Sequence, residues 1–212
     1  MTIPKIIHQV FLDIGTPLKD FPIFIAGQEK WKSWCEENGY EYKFWTSDTI
    51  ERRLQFDKSI YDFYYELRYT WQRIDFIRYV LLNYYGGVYI DLDVHPLPRT
   101  ILKMVNFDKY ITSQDYILGS WYNTKTKKWE ITNGVMGFEA TKLTSLINYS
   151  IEQVEEKSKL DIYKKWKIRF MLQTTGVRMF KRWCKHKKYD RSEDLYTYVK
   201  DYATATWLSN FK

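Results

Sequence analysis

The sequence predicts one α/β domain in which helices flank a central, mostly parallel mixed sheet. Two observations support this fold class. Helix and strand patterns alternate along the amino-terminal half of the chain, and no Pro/Gly/Ser-rich linker divides its 212 residues. A chain of this length can bury one sizeable core. We therefore expect a single domain over residues 1–212, either complete or as a fragment of a longer chain.

The first predicted element is a strand near the amino terminus. Residues 5–12 form an apolar run between Pro4 and the turn-forming residues 13–17, which is typical of a buried strand. Ligands of open α/β sheets bind beyond the carboxyl ends of strands, so the end of this run is expected to face a ligand. His8 has no second His or Cys at metal-ligand spacing, and we interpret it as structural.

Helix and strand patterns then follow up to residue 87. They predict a helix over residues 24–38, a strand over 40–45, and short helices over 49–54 and 60–68. Thr46, Ser47 or Asp48 can cap the first short helix and Ser59 the second. A longer helix over residues 70–85 runs into Gly86 and Gly87, which can end it in the left-handed conformation.

Residues 88–94 alternate aliphatic with polar side chains at the strand period of two. Asp91 and Asp93 would then share one face, with Cα atoms about 6.6 Å apart. Oxygen ligands of this kind suit Mn²⁺ or Mg²⁺. An isolated Asp-x-Asp is common, and its alternatives are the wet face of an edge strand or the start of a turn.

Asp75 and Arg78 lie one turn apart on the preceding helix. They either form an ordinary surface ion pair, which contributes little to stability, or bind a polar ligand beside a metal. Their combination with Asp91 and Asp93 favours the second interpretation.

The pattern weakens after Pro98. Residues 109–112, 117–122 and 129–138 are predicted strands, and residues 140–157 and 177–187 are predicted helices. Asn133-Gly134 is a hairpin signal. Residues 174–176 either cap the last helix through Thr175 or form an anion site at its amino terminus.

Composition limits the partners and the compartment. A net charge of +7 and a pI near 9.1 favour an anionic partner such as a nucleotide diphosphate, nucleic acid or a membrane surface. No nucleic-acid-binding motif accompanies the basic residues, so we expect no nucleic-acid partner. Aromatic residues form 19% of the chain and suit both core packing and stacking on a sugar or base.

The two cysteines, Cys35 and Cys184, have no partner at metal-ligand or redox spacing, which favours a reduced compartment. No leader segment and no run of about 18 apolar residues is found. We expect no transmembrane segment and a soluble, cytoplasmic protein, in the host cytoplasm if the chain is viral, or a soluble piece of a longer chain.

Three motifs carry a resemblance to a known family. They are IPKIIHQVF at residues 3–11, RIDFIRY at 73–79 and GGVYIDLD at 86–93. In this order they resemble the DXD sugar-binding-region glycosyltransferases, which include yeast-type mannosyltransferases and, more distantly, the glucosyltransferase cores of large clostridial toxins. The chain is also similar to glycosyltransferases encoded by large chlorella-infecting DNA viruses. The resemblance implies the nucleotide-sugar-transferase fold called GT-A.

The resemblance also implies roles for single residues. The catalytic residues would be Asp91, Asp93, Asp75 and Arg78. The donor-binding residues would be Gln9, Val10, Phe11, Asp75, Arg78, Tyr89, Leu92, Asn133 and Trp207. Candidates for lining the sugar are Gln114, Asp115, Asn133 and Glu139. The metal ligands would be Asp91, Asp93 and Asp201, with Thr204 or Thr206 as alternatives to the last.

This chain departs from the family pattern at two places. Phe11 stands where the family usually has Trp, although Phe can still stack on uracil. The tail around Trp207 lacks the family's His, and Ala205 replaces its Ser.

The implied function is metal-dependent glycosyl transfer with Mn²⁺ or Mg²⁺. A hexose or deoxyhexose would pass from a nucleotide-diphosphate sugar, with a UDP-sugar such as UDP-glucose favoured, to a glycan or glycoprotein acceptor with retention of configuration. The protein would be a monomer or part of a multidomain chain. The alternatives are a metal-dependent phosphohydrolase or nuclease and a noncatalytic basic binding module.

Overall fold

The computed structural model describes residues 2–97, 106–162, 166–193 and 195–204. The strands are β1 Ile6–Val10, β2 Glu41–Trp45, β3 Gly87–Ile90, β4 Val94–Pro96, β5 Ile117–Asn123, β6 Lys128–Phe138 and β7 Val199–Asp201. The helices are α1 Pro22–Asn38, α2 Ser47–Leu54, α3 Lys58–Glu66, α4 Thr70–Tyr85, α5 Phe107–Ser113, α6 Thr144–Ser158, α7 Lys167–Thr174 and α8 Val177–Lys187. In the described part of the chain, none of the helices is both long and apolar enough to span a membrane.

Five strands form the central sheet in the order β2-β1-β3-β6-β5. Ile7 of β1 pairs in parallel with Tyr42 of β2 and with Val88 of β3. β6 runs antiparallel to both of its neighbours, β3 and β5. Four of the five strands therefore point the same way, and the predicted mixed, mostly parallel sheet is confirmed. β4 and β7 form a separate antiparallel ribbon.

Helix α4 is buried on more than one side because α3, α6 and α7 contact it in addition to the sheet. Phe76, Ile77 and Leu81 are fully buried, and each side chain of this size contributes roughly 1.5–3 kcal/mol when removed from water. Tyr89 belongs to the hydrophobic cluster on the α4 side of the sheet.

Helix α1 covers the opposite face of the sheet. Val88 and Ile90 belong to its cluster, as the alternation of side chains along β3 requires. Trp31 is fully buried there, and its indole N–H donates a 2.7 Å hydrogen bond to the Val94 carbonyl. This bond ties α1 to the strand that follows the two aspartates.

Gly86 and Gly87 connect α4 to β3. Their φ angles are 65° and 93°, in a region that favours glycine. A Cβ atom at Gly86 would lie 2.8 Å from the Ala140 nitrogen, and one at Gly87 would lie 2.6 Å from the Ile6 carbonyl oxygen. The predicted helix stop is confirmed, and the two glycines also let the backbones of neighbouring segments approach closely.

Local capping explains two differences from the predicted elements. Residues 109–112 lie in helix α5, so the predicted strand is wrong. The Asn106 side chain caps this helix by accepting from the backbone N–H groups of Asp108 and Lys109. Asp57, and not Ser59, caps α3 by accepting from the Ile60 N–H.

Candidate active site

A cavity of about 320 Å³ opens at the carboxyl ends of β1 and β3. The turn after β3, helix α4, strands β5 and β6 and the chain after β7 also form its walls. Of the predicted site residues, Val10, Phe11, Asp75, Arg78, Tyr89, Asp91, Leu92, Asp93, Asn133, Asp201 and Thr204 line it. This is the location expected for a ligand of an open α/β sheet.

Asp91 and Asp93 lie on the turn that follows β3, and not on the strand itself. β3 ends at Ile90, and the Val94 N–H closes the turn by donating to the Asp91 carbonyl at 3.0 Å. The predicted strand over residues 88–94 is therefore too long, and the turn alternative is correct. The edge-strand alternative is wrong, because β3 lies between β1 and β6.

The Asp91 carboxylate is held by two neighbours. The Tyr89 hydroxyl donates a 2.6 Å hydrogen bond to Oδ1, and Nη1 of Arg78 lies 3.3 Å from the same oxygen. The surrounding protein raises the pKa of Asp91 to about 7 by desolvation; Arg78 and the Tyr89 hydroxyl oppose this shift, whereas Asp93 and Asp201 add to it. This concentration of negative charge makes the turn favourable for a cation.

The Asp75–Arg78 pair is buried, so the surface-ion-pair alternative is wrong. Nη2 of Arg78 lies 3.2 Å from Asp75 Oδ1, and the two side chains are 7% and 14% exposed. The Asn133 amide donates 2.8 Å and 2.9 Å hydrogen bonds to Asp75 and to the Tyr79 hydroxyl. Burial raises the pKa of Asp75, and Arg78 and Asn133 oppose that rise.

An irregularity in β6 brings three successive residues to the cavity. Leu118 of β5 pairs with Met136, whereas Ser120 pairs with Ile131, so two steps along β5 correspond to five along β6. Bulges of this kind re-aim side chains, and Thr132, Asn133 and Gly134 all line the cavity. The hairpin alternative for Asn133-Gly134 is wrong.

Gly134 leaves room for Asp91. A Cβ atom at Gly134 would lie 2.7 Å from Asp91 Oδ2, and the Gly134 carbonyl accepts a 2.8 Å hydrogen bond from the Asp91 N–H. The glycine therefore allows the Asp91 carboxylate to lie directly against the β6 backbone.

The β4–β7 ribbon brings the end of the described chain to Asp93. Val94 pairs with Asp201, and Thr204 donates two hydrogen bonds to Asp93 Oδ2, of 2.9 Å from its N–H and 2.8 Å from its hydroxyl. Burial raises the pKa of Asp201, and Asp93 adds to the rise. Trp207 and Thr206 lie outside the described residues.

The donor set at this turn fits a hard divalent cation. Asp91, Asp93 and Asp201 offer carboxylate oxygens to one cavity, and such oxygens suit Mg²⁺ and Mn²⁺. Among the residues that the structure describes, no three His, Cys, Asp or Glu side chains group closely enough to hold a metal ion by themselves. A cation here would take further oxygens from water and from a bound phosphate, as Mg²⁺ commonly does.

The end of the cavity near β1 is apolar and aromatic. Phe11 lines it with Leu12 and Phe24, and its ring centroid lies 6.4 Å from that of Phe21. Gln9 does not line the cavity. It is fully buried, accepts a 2.7 Å hydrogen bond from the Tyr42 hydroxyl, and supports the turn by donating to the Asp91 carbonyl at 3.4 Å.

Several sequence-based assignments lie elsewhere. Gln114, Asp115 and Glu139 are not among the residues that line the cavity. Thr175 does not cap α8, because no side chain caps that helix and the Thr175 hydroxyl has no hydrogen-bond partner among the described residues. His8 is structural as expected, fully buried between the Gly86 carbonyl and the Trp45 indole.

The sequence patterns assign no site role to several other residues that line the cavity, among them Ile14, Trp71, Trp121, Thr132, Met171, Leu172 and Val177. Trp121 comes from β5, and the last three come from α7 and α8. They are far apart in sequence, and no local pattern marks them as neighbours.

Gly27 is the point where α1 touches the turn. A Cβ atom there would lie 2.2 Å from the Leu92 carbonyl oxygen and 2.9 Å from the His95 ring. We expect Gly27→Ala to lower the free energy of unfolding by about 1–3 kcal/mol, because helix and turn must separate. Urea unfolding measures this change. Glu29→Ala, at an exposed site on the same helix, is the control, and equal stability of the two variants would show that the contact is not tight.

Residues 24–118 match the family described as "Glycosyltransferase sugar-binding region containing DXD motif". The chain is similar to inositol phosphoceramide mannosyltransferase 3 of Schizosaccharomyces pombe, at 31% identity over 64% of this chain and 33% of that protein. It is similar to the solved PaToxG glycosyltransferase, with a TM-score of 0.54 and 11% identity over 87% of this chain and 70% of the other. A glycosyltransferase involved in the glycosylation of the major capsid of PBCV-1 also matches, with a TM-score of 0.43 and 12% identity over 76% and 71% of the two chains.

The family match and the mannosyltransferase relative confirm the resemblance noted from the sequence motifs. The matched segment contains α4 with Asp75 and Arg78, and the turn with Asp91 and Asp93. The likeness to the PaToxG structure supports the predicted GT-A fold. The chain spans about a third of the length of the curated relative it matches.

Proposed function

Because residues 24–118 carry the DXD sugar-binding region of glycosyltransferases, we propose that this domain is a metal-dependent glycosyltransferase. It transfers a hexose or deoxyhexose from a nucleotide-diphosphate sugar to a glycan or glycoprotein acceptor. The observation that carries the proposal is the convergence of the Asp91–Asp93 turn and the buried Asp75–Arg78–Asn133 network on one cavity.

Asp91 and Asp93 hold the divalent cation in this proposal, and Asp201, which lines the same cavity, contributes its oxygen through a bridging water. A cation bound there offsets the negative charge that develops on the leaving diphosphate. The Tyr89 hydroxyl and Arg78 fix the orientation of Asp91 through their contacts with its Oδ1 atom. Thr204 does the same for Asp93.

The neighbouring network binds the sugar. Asp75 lines the cavity and accepts hydrogen bonds from sugar hydroxyl groups. Arg78 acts mainly by positioning carboxylates, because its Nε donates to the Ile74 carbonyl and its Nη1 to the Asn133 carbonyl. It contacts Asp75 and Asp91 with the same guanidinium.

In the transfer step, an acceptor hydroxyl oxygen bonds to the anomeric carbon and the bond from that carbon to the diphosphate breaks. The hydroxyl proton passes to a departing phosphate oxygen or to solvent. Among the described residues that line the cavity, the carboxylates of Asp75, Asp91, Asp93 and Asp201 all accept internal hydrogen bonds. A carboxylate that accepts one hydrogen bond keeps further acceptor capacity, but this proposal assigns Asp91, Asp93 and Asp201 to the cation and Asp75 to the sugar. None of the four is then left as a separate base for an inverting attack, and we therefore favour retention.

In this proposal the nucleobase of the donor binds at the aromatic end of the cavity. It lies against Phe11, and Val10 and Leu92 line the cavity beside it. We expect Phe11→Ala to raise KM for the donor more than it lowers kcat, since stacking on a base far from the reaction is largely uniform binding. Phe11→Trp, which restores the residue usual in the family, should be tolerated. Steady-state kinetics measure both, and a fall confined to kcat would place the base elsewhere.

The donor class is tested by calorimetric titration of nucleoside diphosphates with and without Mn²⁺. We favour UDP and UDP-glucose, and GDP-mannose belongs in the panel because the yeast relative is named a mannosyltransferase. Binding that requires Mn²⁺, with slow release of sugar to water, supports the proposal. Release of inorganic phosphate would indicate a phosphohydrolase. Binding of nucleic acid that weakens steeply with salt and ignores Mn²⁺ would indicate a basic binding module.

A further inference from the structure

Trp121 on β5 combines exposure with a place in the cavity wall. Its side chain is 47% exposed, and it lines the same cavity as Asp75 and Asp91. In the part of the chain that the structure describes, its indole makes a cation–π contact with Lys181, whose Nζ lies 6.0 Å from the ring centroid, and no aromatic ring packs against it. A large flat side chain is thus available to a ligand.

The pairing of β5 with β6 decides which way this side chain points. Trp121 lies opposite Glu130, whereas Tyr122 lies opposite Trp129. Residues directly opposite each other share a face, and consecutive residues alternate. Lys181 of α8 contacts both Trp121 and Glu130, which identifies their face as the one turned toward α8. Tyr122 and Trp129 pack edge to face against each other on the opposite face.

The order of the strands separates Trp121 from the proposed binding site of the nucleobase. Phe11 follows β1 and Trp121 belongs to β5, with β3 and β6 between them. Three strand spacings amount to about 14 Å. Asp91 after β3 and Asn133 on β6 line the stretch between these two ends. A donor whose nucleobase lies at Phe11 and whose sugar lies at Asn133 would therefore not cover the Trp121 indole.

We infer that Trp121 is the platform on which a carbohydrate acceptor binds. A pyranose ring presents an apolar C–H face and a rim of hydroxyl groups, and a flat indole beside polar side chains complements both. Glu130 and Lys181 form an ion pair next to the indole, beyond the residues that line the cavity, and in this proposal they offer an acceptor and a donor to hydroxyl groups at the outer rim of the sugar. This inference rests on the proposed glycosyltransferase function and adds the acceptor class and the residue that selects it.

The test compares Trp121 with Trp129, which lies on the opposite face of the same β5–β6 hairpin. Trp129 is 48% exposed and does not line the cavity, so Trp129→Ala is the matched control for Trp121→Ala. Release of nucleoside diphosphate is followed with the donor selected by titration. The added acceptors are methyl α-mannopyranoside, methyl β-glucopyranoside and, as an alcohol without a ring face, glycerol.

We expect the methyl glycosides, and not glycerol, to stimulate release by the wild-type protein. Trp121→Ala should raise the acceptor KM about tenfold, the loss expected for one stacking contact, and should lower transfer more than donor hydrolysis. Trp121→Phe, which keeps a flat ring, should fall in between and protects the test against misfolding of the alanine variant. Trp129→Ala should behave like the wild type.

Three results would overturn the inference: equal effects of the two alanine variants, equal losses of hydrolysis and transfer in Trp121→Ala, or binding of the donor without stimulation by any glycoside. Failure of the wild-type protein to bind any donor is a different result. It would remove the proposed function and this inference together.

Discussion

Replacing Arg78 with alanine is expected to lower the free energy of unfolding by about 3–5 kcal/mol, the range found when one partner of a buried ion pair is removed. Arg78 is 5% exposed and lies within 3.3 Å of carboxylate oxygens of both Asp75 and Asp91. Without the guanidinium, two partly buried negative charges lose their counter-charge, and the Asn133 carbonyl loses its 2.8 Å hydrogen bond. Urea unfolding of the ligand-free protein measures the loss.

The loss should depend on pH through Asp75. Burial raises the pKa of Asp75 and Arg78 opposes the rise, so removing Arg78 raises this pKa further above the unfolded value of about 4. A raised folded-state pKa costs stability above that pKa, and the cost disappears as pH falls toward the unfolded pKa. The deficit of Arg78→Ala should therefore be larger at pH 8 than at pH 5.

Two further variants separate charge from volume and from helix effects. Arg78→Met keeps most of the side-chain volume but removes the charge. If the charge is responsible, its free energy of unfolding should be lowered by almost as much as that of Arg78→Ala. Arg73→Ala removes an arginine from the same helix, where its guanidinium donates to the Tyr65 carbonyl at 3.1 Å, and should cost about 1 kcal/mol or less. Equal losses for Arg73→Ala and Arg78→Ala would contradict the importance of the buried network.

The sequence spacing was sufficient to pair Asp75 with Arg78 but insufficient to show that they are buried. Residues three apart share a helix face in any environment. Burial depends on Asn133, which lies 58 positions from Asp75, and on Gly176, where a Cβ atom would lie 3.0 Å from the Asp75 carboxylate. Contacts of this range leave no periodic signal in the sequence of α4.

The same limit applies to the Asp-x-Asp segment. Alternation over residues 88–94 is compatible with a continuous strand and with two short strands joined by a turn. β3 ends at Ile90 because the chain turns after Asp91: the Asp91 N–H still bonds to the Gly134 carbonyl of β6, and the Val94 N–H then turns back to the Asp91 carbonyl. The expected convergence of Asp91 and Asp93 is found because the turn, like the predicted strand, brings both carboxylates to the same cavity; their role in holding a metal stays a prediction.

Trp121 illustrates a site residue that no local pattern marks. The strand over residues 117–122 was predicted and is confirmed within one residue, yet alternation alone gives no reason to distinguish Trp121 from Tyr122. Its pairing with Glu130 and its contact with Lys181 of α8 make the difference. The pairing is set within the hairpin, but the contact with Lys181 depends on how distant segments meet.

Asp93→Asn is expected to have the largest effect on function. The substitution keeps the size of the side chain and its ability to accept the hydrogen bonds from Thr204, but it removes the charge that holds a hard cation. We expect Mn²⁺-dependent binding of the preferred nucleoside diphosphate to weaken at least about 100-fold. Asp201→Asn should weaken it by about tenfold if Asp201 contributes its oxygen through a bridging water.

Unlike Arg78→Ala, Asp93→Asn should not lower the free energy of unfolding. Asp93 raises the pKa of Asp91 by repulsion between the two carboxylates, so neutralising Asp93 relieves that repulsion, and the metal-free variant should be as stable as the wild type or more so. The rise in Tm on adding Mn²⁺ with nucleotide, which reflects binding to the folded state only, should disappear. Asp48→Asn, at an exposed position on α2, is the control. If Asp93→Asn binds the nucleotide with Mn²⁺ as tightly as the wild type, or if it unfolds as readily as Arg78→Ala, then Asp93 is a structural carboxylate and the metal-dependent mechanism is wrong.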